Sequence, residues 1–295
     1  MKFVFILISI FFIHLSYSQN ISFSESVNSS IDFEKRKKSL VISEVSLYVA
    51  SLVALNELWY ADYPRSSFHF INDNDEWLQM DKLGHLSSSY YSGVVGIKMY
   101  KWAGLNYNIS VWHGGFTGTY FLTIVEILDG FSKEWGASFG DLVANISGSL
   151  LAISQDLAWN EQRIQLKYSY SPTKWAQENK NQLGYNHIER AFKDYNGQTY
   201  WLTFNIKSIL HINDENFPSW ISLALGYSAN KMLSPYNEGD NRERQYLFSF
   251  DIDLNKIKTR SKTLNNILHT FGFLKFPMPA LELRSNQIYF NPIYY

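Results

Sequence analysis

Acidic and amide side chains stand among small and apolar residues in one stretch of the chain, from Glu126 to Gly148. Glu126 and Asp129 are three residues apart, which on a helix places their carboxylates roughly 5–6 Å from one another. Two carboxylates at that separation either share a proton or hold a cation. Asp141 and Asn145 follow at helical spacing, so we expect this stretch to contribute polar groups to a buried site.

A second polar group lies earlier, in the segment MDKLGH. Asp81 precedes an apolar periodic run, where an aspartate commonly caps a helix by accepting backbone N–H groups. His85 follows four residues later and therefore lies on the same helix face. Lys82 can either neutralise a carboxylate or remain solvated.

Helix capping explains only part of this pattern. Ser138 and Asp141 match a capping box in which Asp stands where Glu or Gln is usual. Glu126 lies near the end of its helix, where a negative charge opposes the helix dipole by roughly 0.3–1 kcal/mol, and capping does not account for Asn145. We therefore predict one shared interhelical polar site. Its candidate residues are Asp81, Lys82, His85, Glu126, Asp129, Ser138, Asp141 and Asn145.

The residue types limit the chemistry of such a site. The sequence contains no cysteine, which excludes disulfides, thiolate metal sites, a cysteine nucleophile and lipidation on an N-terminal cysteine. Carboxylates with one histidine would suit Mg²⁺, Mn²⁺ or Zn²⁺, but a shared proton and Lys82 account for the cluster without an ion, so no metal or other cofactor is predicted. The sequence lacks a zinc-protease helix, a serine elbow, a P-loop and a dinucleotide fingerprint. Neither an enzymatic activity nor a substrate is established by these residues.

The elements that position these residues are predicted from apolar spacing. Helices are predicted over residues 41–60, 82–102, 110–128 and 139–159. The last three are rich in Gly, Ser, Ala and Thr, which let helices approach closely, so a tight four-helix bundle is expected. Their charged residues make free-standing lipid spans doubtful. These are Lys98, Lys101, Glu126, Asp141 and Asp156.

After about Asn160 the period of the apolar residues changes to two. Strands are predicted over residues 164–170, 200–207, 219–229, 245–254, 268–273 and 281–290. The alternation gives each main strand one apolar and one mostly polar face. We therefore predict an α+β chain, with an N-terminal four-helix bundle followed by an antiparallel β-rich half. That half is either a soluble sheet or part of an outer-membrane barrel.

The N-terminus and the composition indicate the compartment. Lys2, an apolar run over residues 3–13 and a small-x-small pattern at Ser16–Ser18 are typical of a signal peptide. The predicted divisions are a signal peptide (1–18), a mobile lead-in (19–40), a helical domain (41–159) and a β-rich domain (160–295). The charges nearly cancel, with 26 Lys+Arg against 27 Asp+Glu, which disfavours nucleic acid as a partner. The 17% aromatic content suits a membrane boundary, so we expect export across the inner membrane to the periplasm or outer membrane, with a membrane or an envelope protein as partner.

The ordered motifs DKLGH, E-x-x-D-G-F and S-x-x-D-x-x-x-N-x-x-G resemble those of the YfiM-like family of predicted periplasmic lipoproteins, a domain of unknown function. They more distantly resemble VanZ-type proteins associated with glycopeptide-antibiotic resistance. The resemblance covers about residues 77–152 and implies a helical envelope domain in which the eight polar residues matter. It brings no reaction. This chain departs from the family because it lacks the lipid-bearing cysteine and adds a β-rich half.

Two functions are compatible with these observations. The leading hypothesis is a non-enzymatic envelope protein that is associated with the outer membrane through its β-rich half and contains a buried interhelical polar site. The alternative is an enzyme or binding protein that acts on a cell-wall or lipid-carrier precursor. In that case His85 or a carboxylate of raised pKa would act as general base, and Lys82 would pair with a phosphate or carboxylate of the substrate.

Overall fold

The computed structural model describes residues 30–61, 63–236 and 241–295. The predicted signal peptide and residues 19–29 of the lead-in therefore lie outside the described residues. The chain divides into two compact units. We call Met1–Asn72 with Ser88–Asn160 the helical unit, and Asp73–Ser87 with Glu161–Tyr295 the sheet unit.

Among the described residues, four long helices lie in the N-terminal half of the chain. They are α1 (Ser30–Leu55), α2 (Met80–Trp102), α3 (Tyr107–Gly130) and α4 (Phe139–Trp159). The predicted start of the first helix, near residue 41, was wrong. The run Glu34–Lys38 belongs to α1 rather than to a lead-in, because its residues are good helix formers. A π-helical turn, Asn56–Tyr60, follows α1. The arrangement of the four helices as a bundle stays a prediction.

Glycine permits close helix contact in the helical unit. A Cβ atom placed on Gly96 of α2 would lie 2.1 Å from the carbonyl oxygen of Gly114 in α3, and one on Gly118 would lie 2.6 Å from the carbonyl oxygen of Ser89. No side chain fits at either point. The short strands β1 (Phe70–Ile71) and β2 (Ala137–Ser138) pair in parallel, and β2 leads directly into α4.

The C-terminal half contains one six-stranded antiparallel sheet in which each strand pairs with its neighbour in sequence. The strands are β3 (Ile164–Tyr170), β4 (Gln198–Asn205), β5 (Ile221–Asn230), β6 (Glu243–Ile252), β7 (Met278–Arg284) and β8 (Gln287–Tyr294). The connections contain α5 (Trp175–Glu178), α6 (Lys180–Leu183), α7 (His187–Lys193), α8 (Ile206–Ile209) and α9 (Lys262–Thr270). The predicted α+β class and the antiparallel C-terminal half are confirmed.

Two of the predicted strands were wrong. Residues 268–273 overlap the end of α9, whose start is capped by Ser261 through a bond from the backbone N of Leu264. Residues 281–290 are a hairpin rather than one strand. Ser285 and Asn286 have φ of 48° and 60°, the left-handed conformation that a two-residue hairpin turn requires.

Residues 73–87 pack into the sheet unit. Trp77 and Met80 belong to a core cluster with Ala176, Leu183, Ala229 and Met232. The Tyr227 hydroxyl donates a 2.6 Å hydrogen bond to the carbonyl oxygen of Leu78. The helix α2 therefore contributes its first turns, up to Ser87, to the sheet unit and its remainder to the helical unit.

The buried face of the sheet is mainly polar, around a small apolar cluster of Trp201, Ala224, Leu247 and Ala280, and the opposite face is apolar. Buried side chains include Lys167, Thr199, Thr203, Asn205, Ser222, Ser228, Gln245, Ser249 and Asp251. Exposed side chains on the other face include Leu225, Tyr246, Phe248, Phe250, Leu281, Leu283, Ile288 and Phe290. This arrangement reverses that of a soluble antiparallel sheet, which packs its apolar face on the core.

The buried face contains an ionic cluster. The Asp251 carboxylate lies 2.5 Å from Nζ of Lys167 and 3.9 Å from Nζ of Lys275, and none of the three side chains is exposed. Asp251 also accepts a bond from the backbone N of Phe276, and Nζ of Lys275 lies 4.8 Å from the ring centre of Trp201. Burial lowers the pKa of Lys275 to about 8, because an ammonium ion loses its hydration there.

Candidate polar site

The eight predicted site residues are divided between the two units. Asp81, Lys82 and His85 belong to the sheet unit. The helical unit contains Glu126, Asp129, Ser138, Asp141 and Asn145. Each group has its own geometry, and their union in one site stays a prediction.

The carboxylates of the helical unit meet at the start of α4. Oε2 of Glu126 accepts a 2.9 Å bond from the backbone N of Ser138, and Oγ of Ser138 accepts a 3.2 Å bond from the backbone N of Asp141. Ser138 is therefore the N-cap of α4, as the capping pattern predicts. Glu126 opposes the dipole of its own helix, but it lies against the N-terminus of α4, where a negative charge is favourable. This position explains the burial of Glu126, which is 3% exposed.

Asp129 has a different partner from Glu126. Its Oδ1 atom accepts a 2.7 Å bond from the hydroxyl of Tyr60, which also makes an edge contact with Trp135. Burial and then the charge of Asp129 raise the pKa of Tyr60 above its ordinary range, so the phenol is a donor at neutral pH. The two carboxylates, three residues apart, are thus positioned by separate donors.

Asn145 lies at the centre of a buried hydroxyl cluster. It is fully buried, and its carbonyl oxygen accepts bonds from Ser89 of α2 at 2.6 Å and Thr119 of α3 at 2.9 Å. Oγ of Ser149, one turn along α4, lies 3.0 Å from Oγ of Ser89 and 2.8 Å from Oγ1 of Thr119. These hydroxyls were not among the predicted site residues, although small polar residues four apart on an apolar helix are a signal for them.

The polar residues of the sheet unit form a connected set. Oδ1 of Asp81 accepts a 2.7 Å bond from the hydroxyl of Tyr195, and its other oxygen lies 3.5 Å from Nζ of Lys82. Lys82 also forms a 2.6 Å ion pair with Asp73, a residue that the sequence analysis did not select. The predicted N-cap role of Asp81 was wrong, because α2 begins at Met80 and Asp81 lies inside its first turn. His85 follows one turn later and is half-buried.

Within the helical unit, α2 and α4 run in the same direction. Ser89 contacts Asn145, and further along the two helices Lys101 forms a 2.8 Å ion pair with Asp156. Nζ of Lys101 also donates to the side-chain oxygen of Asn160 at 2.8 Å. Because the paired residue numbers increase together, the two helices are parallel.

Comparison with known proteins identifies one similarity. Residues 69–155 match the family model described as "Predicted periplasmic lipoprotein (DUF2279)". This match confirms the resemblance to predicted periplasmic lipoproteins and does not extend to VanZ-type proteins. Neither a curated protein nor a solved structure matches the chain. The similarity suggests an envelope protein of unknown function.

Proposed function

We propose that the protein is a non-enzymatic component of the cell envelope whose sheet unit contacts the lipid of the outer membrane. The observation that supports this function is the reversed polarity of the sheet. Leu225, Phe248, Leu281 and Phe290 are direct neighbours on four successive strands and are 49%, 42%, 47% and 65% exposed. A continuous apolar row of this kind is costly in water and typical of an interaction surface.

The chemistry of both faces favours lipid as the partner. Membrane-facing β-strands alternate apolar residues toward lipid with polar residues on the other side. The strands β5 and β6 are each ten residues long, which is within the roughly 9–11 residues of a membrane strand. The next row contains Tyr246, Leu283 and Ile288, which are 52%, 44% and 74% exposed. The hydroxyl of Tyr246 is suited to the headgroup region, whereas that of Tyr227 in the same row donates to the carbonyl oxygen of Leu78.

Thiol accessibility in the vesicle-bound mature protein tests this function, because it reports on the sheet face itself. A thiol introduced by Phe248→Cys or Leu281→Cys should react several-fold more slowly with a water-soluble maleimide than a thiol outside the row, since acyl chains cover the row. The matched controls are Tyr185→Cys and Leu210→Cys, which alter apolar residues of the sheet unit that are 63% and 66% exposed but lie outside the strands. Equal reaction rates for row and control thiols, or release of the mature protein into the soluble periplasmic fraction without detergent, would refute the proposal.

A second candidate function is favoured by the register of α2 on α4. Ser89 and Asn145 are in contact in two parallel helices, and one turn toward the N-terminus of each helix leads to His85 and Asp141. Asp81 lies one further turn back on α2. We therefore propose that Asp81, His85 and Asp141 contribute to one site, and residues of these types can also hold a metal ion. Such a site would bind a phosphate-bearing lipid carrier or a cell-wall precursor.

Binding of a short-chain polyprenyl phosphate, measured by calorimetry with and without Zn²⁺, tests this second function. Asp81→Asn, His85→Gln and Asp141→Asn should each weaken binding at least tenfold in folded protein. The control is Glu215→Gln, an exposed carboxyl outside the site. If all three site variants bind as the control does, the polar residues serve only the packing of the helices.

A further inference from the structure

The helix α4 has the opposite polarity to that of a helix on a water-soluble protein. Its exposed large side chains are Phe139, Val143, Ile146, Leu150, Leu157 and Trp159. Its charged and amide side chains are all buried, namely Asp141, Asn145, Gln155 and Asp156. An amphipathic helix in water presents its polar face outward and its apolar stripe to the core. The surroundings that suit α4 are therefore apolar.

Two more helices of the helical unit present apolar stripes. On α1, Val41, Val45, Val49 and Val53 recur every four residues and are 53–59% exposed. On α3, the exposed apolar residues include Ile109, Trp112, Tyr120 and Ile127. At about 1.5 Å per residue, the stripe on α3 extends for roughly 27 Å and that on α4 for roughly 30 Å, close to the roughly 30 Å thickness of the hydrocarbon core of a bilayer.

The exposed charged residues of α1 lie at the ends of its valine stripe, whereas Glu44 within the stripe is half-buried and accepts a bond from the hydroxyl of Tyr100. Lys35, Lys37 and Lys38 are exposed and precede the valine stripe of α1, and Glu57 follows it. The charges on α2, α3 and α4 make contact with lipid doubtful from the sequence alone. In the structure Lys101 and Asp156 pair with each other and Glu126 accepts the backbone N–H of Ser138, so these three charges have partners inside the unit. Lys98 of α2, a helix that contributes no stripe, is exposed.

We propose that the helical unit is embedded in a bilayer, with the stripes of α1, α3 and α4 against lipid acyl chains. By length and composition, the segment Asp32–Leu55 alone among the described residues also meets the requirements for a membrane span. The polar interior of the unit fits this environment, because hydroxyls and glycines at helix contacts are typical of membrane helices. The proposal rests on the envelope location proposed above but is independent of the sheet face.

Two features favour acyl chains over a second copy of the chain as the occupant. The stripes lie on three different helices, whereas a two-fold contact between copies covers one patch of each. A groove of about 530 Å³, lined mainly by apolar residues, lies beside α4. Its lining includes Trp112, Leu150, Leu151, Ile153 and Leu157. The exposed lysines that precede the α1 stripe complement anionic headgroups.

Site-specific spin labels test this placement, and the absence of native cysteine makes each introduced thiol unique. The mature protein is reconstituted in vesicles of phosphatidylethanolamine and phosphatidylglycerol. Labels are introduced by Val45→Cys, Ile146→Cys and Leu150→Cys, with Glu57→Cys and Lys133→Cys as exposed controls. We expect the stripe labels to collide several-fold more often with oxygen, and several-fold less often with a water-soluble nickel chelate, than the control labels.

Two results would overturn the proposal. Equal access of the nickel chelate to stripe and control labels would place the helical unit in water. Protection of the stripe labels from both reagents, with spin–spin coupling between copies, would assign the stripes to a second copy. A label at Phe248→Cys separates this proposal from that for the sheet. If Phe248→Cys reports lipid and the stripe labels report water, the helical proposal alone fails, and the opposite pattern rejects the sheet proposal alone.

Discussion

Replacing Asp251 by Asn tests the polar interior of the sheet. The carboxylate faces two lysines, with Nζ of Lys167 at 2.5 Å and Nζ of Lys275 at 3.9 Å, and no part of the three side chains is exposed. Asparagine has nearly the same shape and can still accept the backbone N–H of Phe276. The substitution therefore removes the counter-charge and leaves the packing in place.

The magnitude follows from the burial of the lysines. Removing one partner of a buried ion pair costs about 3–5 kcal/mol, because the other charge stays uncompensated. Lys275 can avoid part of this loss by releasing its proton. With Asp251 in place, deprotonating Lys275 at pH 7 costs about 1.4 kcal/mol, because its pKa is about 8. In the variant this costs less, since the lost carboxylate raised that pKa, but Lys167, whose Nζ is nearer, still lacks its counter-charge. We expect Asp251→Asn to lower the free energy of unfolding by about 3–5 kcal/mol at pH 7, and by less at pH 9.

Urea unfolding in detergent micelles, followed by tryptophan fluorescence, measures this effect. The matched control is Asp253→Asn, since Asp253 is equally buried but accepts bonds from the side-chain amide of Gln165 and the backbone N of Asn255. Loss of a hydrogen bond of this kind costs about 1–3 kcal/mol. Equal losses for the two variants, or a loss for Asp251→Asn that does not change between pH 7 and pH 9, would refute the assignment of the lysines as the cause.

Three further outcomes are expected. The pKa of Lys275 is lower in the folded than in the unfolded chain, so the unfolded chain binds more protons between pH 8 and 10. The free energy of unfolding should therefore rise with pH in this range, by at most about 1.4 kcal/mol per pH unit. Urea titrations of Lys275→Met should lack this rise. Gly96→Ala should destabilise the protein by about 1–3 kcal/mol, because the added methyl group clashes with a backbone carbonyl. Gly84→Ala, whose methyl group approaches only a tyrosine hydroxyl, is the control. Thermal unfolding should show a smaller loss of melting temperature for Gly84→Ala than for Gly96→Ala. Ser285→Asn should raise the melting temperature, because it relieves part of the roughly 1–2 kcal/mol cost of a left-handed residue; an unchanged or lower melting temperature would contradict the hairpin turn.

The periodicity of the sequence predicted most of the elements. The predicted strand over residues 164–170 has the bounds of β3, and the predicted helix over residues 139–159 has those of α4. The error at residues 268–273 arose because Leu268 and Phe271 also fit the spacing of an amphipathic helix, and a short apolar run does not distinguish the two. The cap at Ser261 was the signal that favoured the helix.

The orientation of the sheet could not be predicted from the same pattern. Alternation of Phe248 and Phe250 with Ser249 and Asp251 indicates two different faces, but the surrounding chain decides which face is buried. The candidate site was predictable only in part for a similar reason. Capping rules identify Ser138, whereas the ion pair of Lys82 and Asp73 depends on how the loop before α2 folds back, which local spacing does not specify.

Residues 73–87 belong to the sheet unit and contribute to its core. This limits how the matched segment, residues 69–155, can be exchanged between proteins. Trp77 and Met80 lie within the matched region, residues 69–155, but their neighbours Ala176, Leu183, Ala229 and Met232 all lie beyond it. A graft of residues 69–155 into a protein of the matched family that lacks the sheet would deprive these two side chains of their contacts and expose them to water. In homologues that have the C-terminal sheet, we therefore expect correlated substitutions between the start of α2 and these distant positions. In homologues without the sheet, we expect smaller or more polar residues in place of Trp77 and Met80.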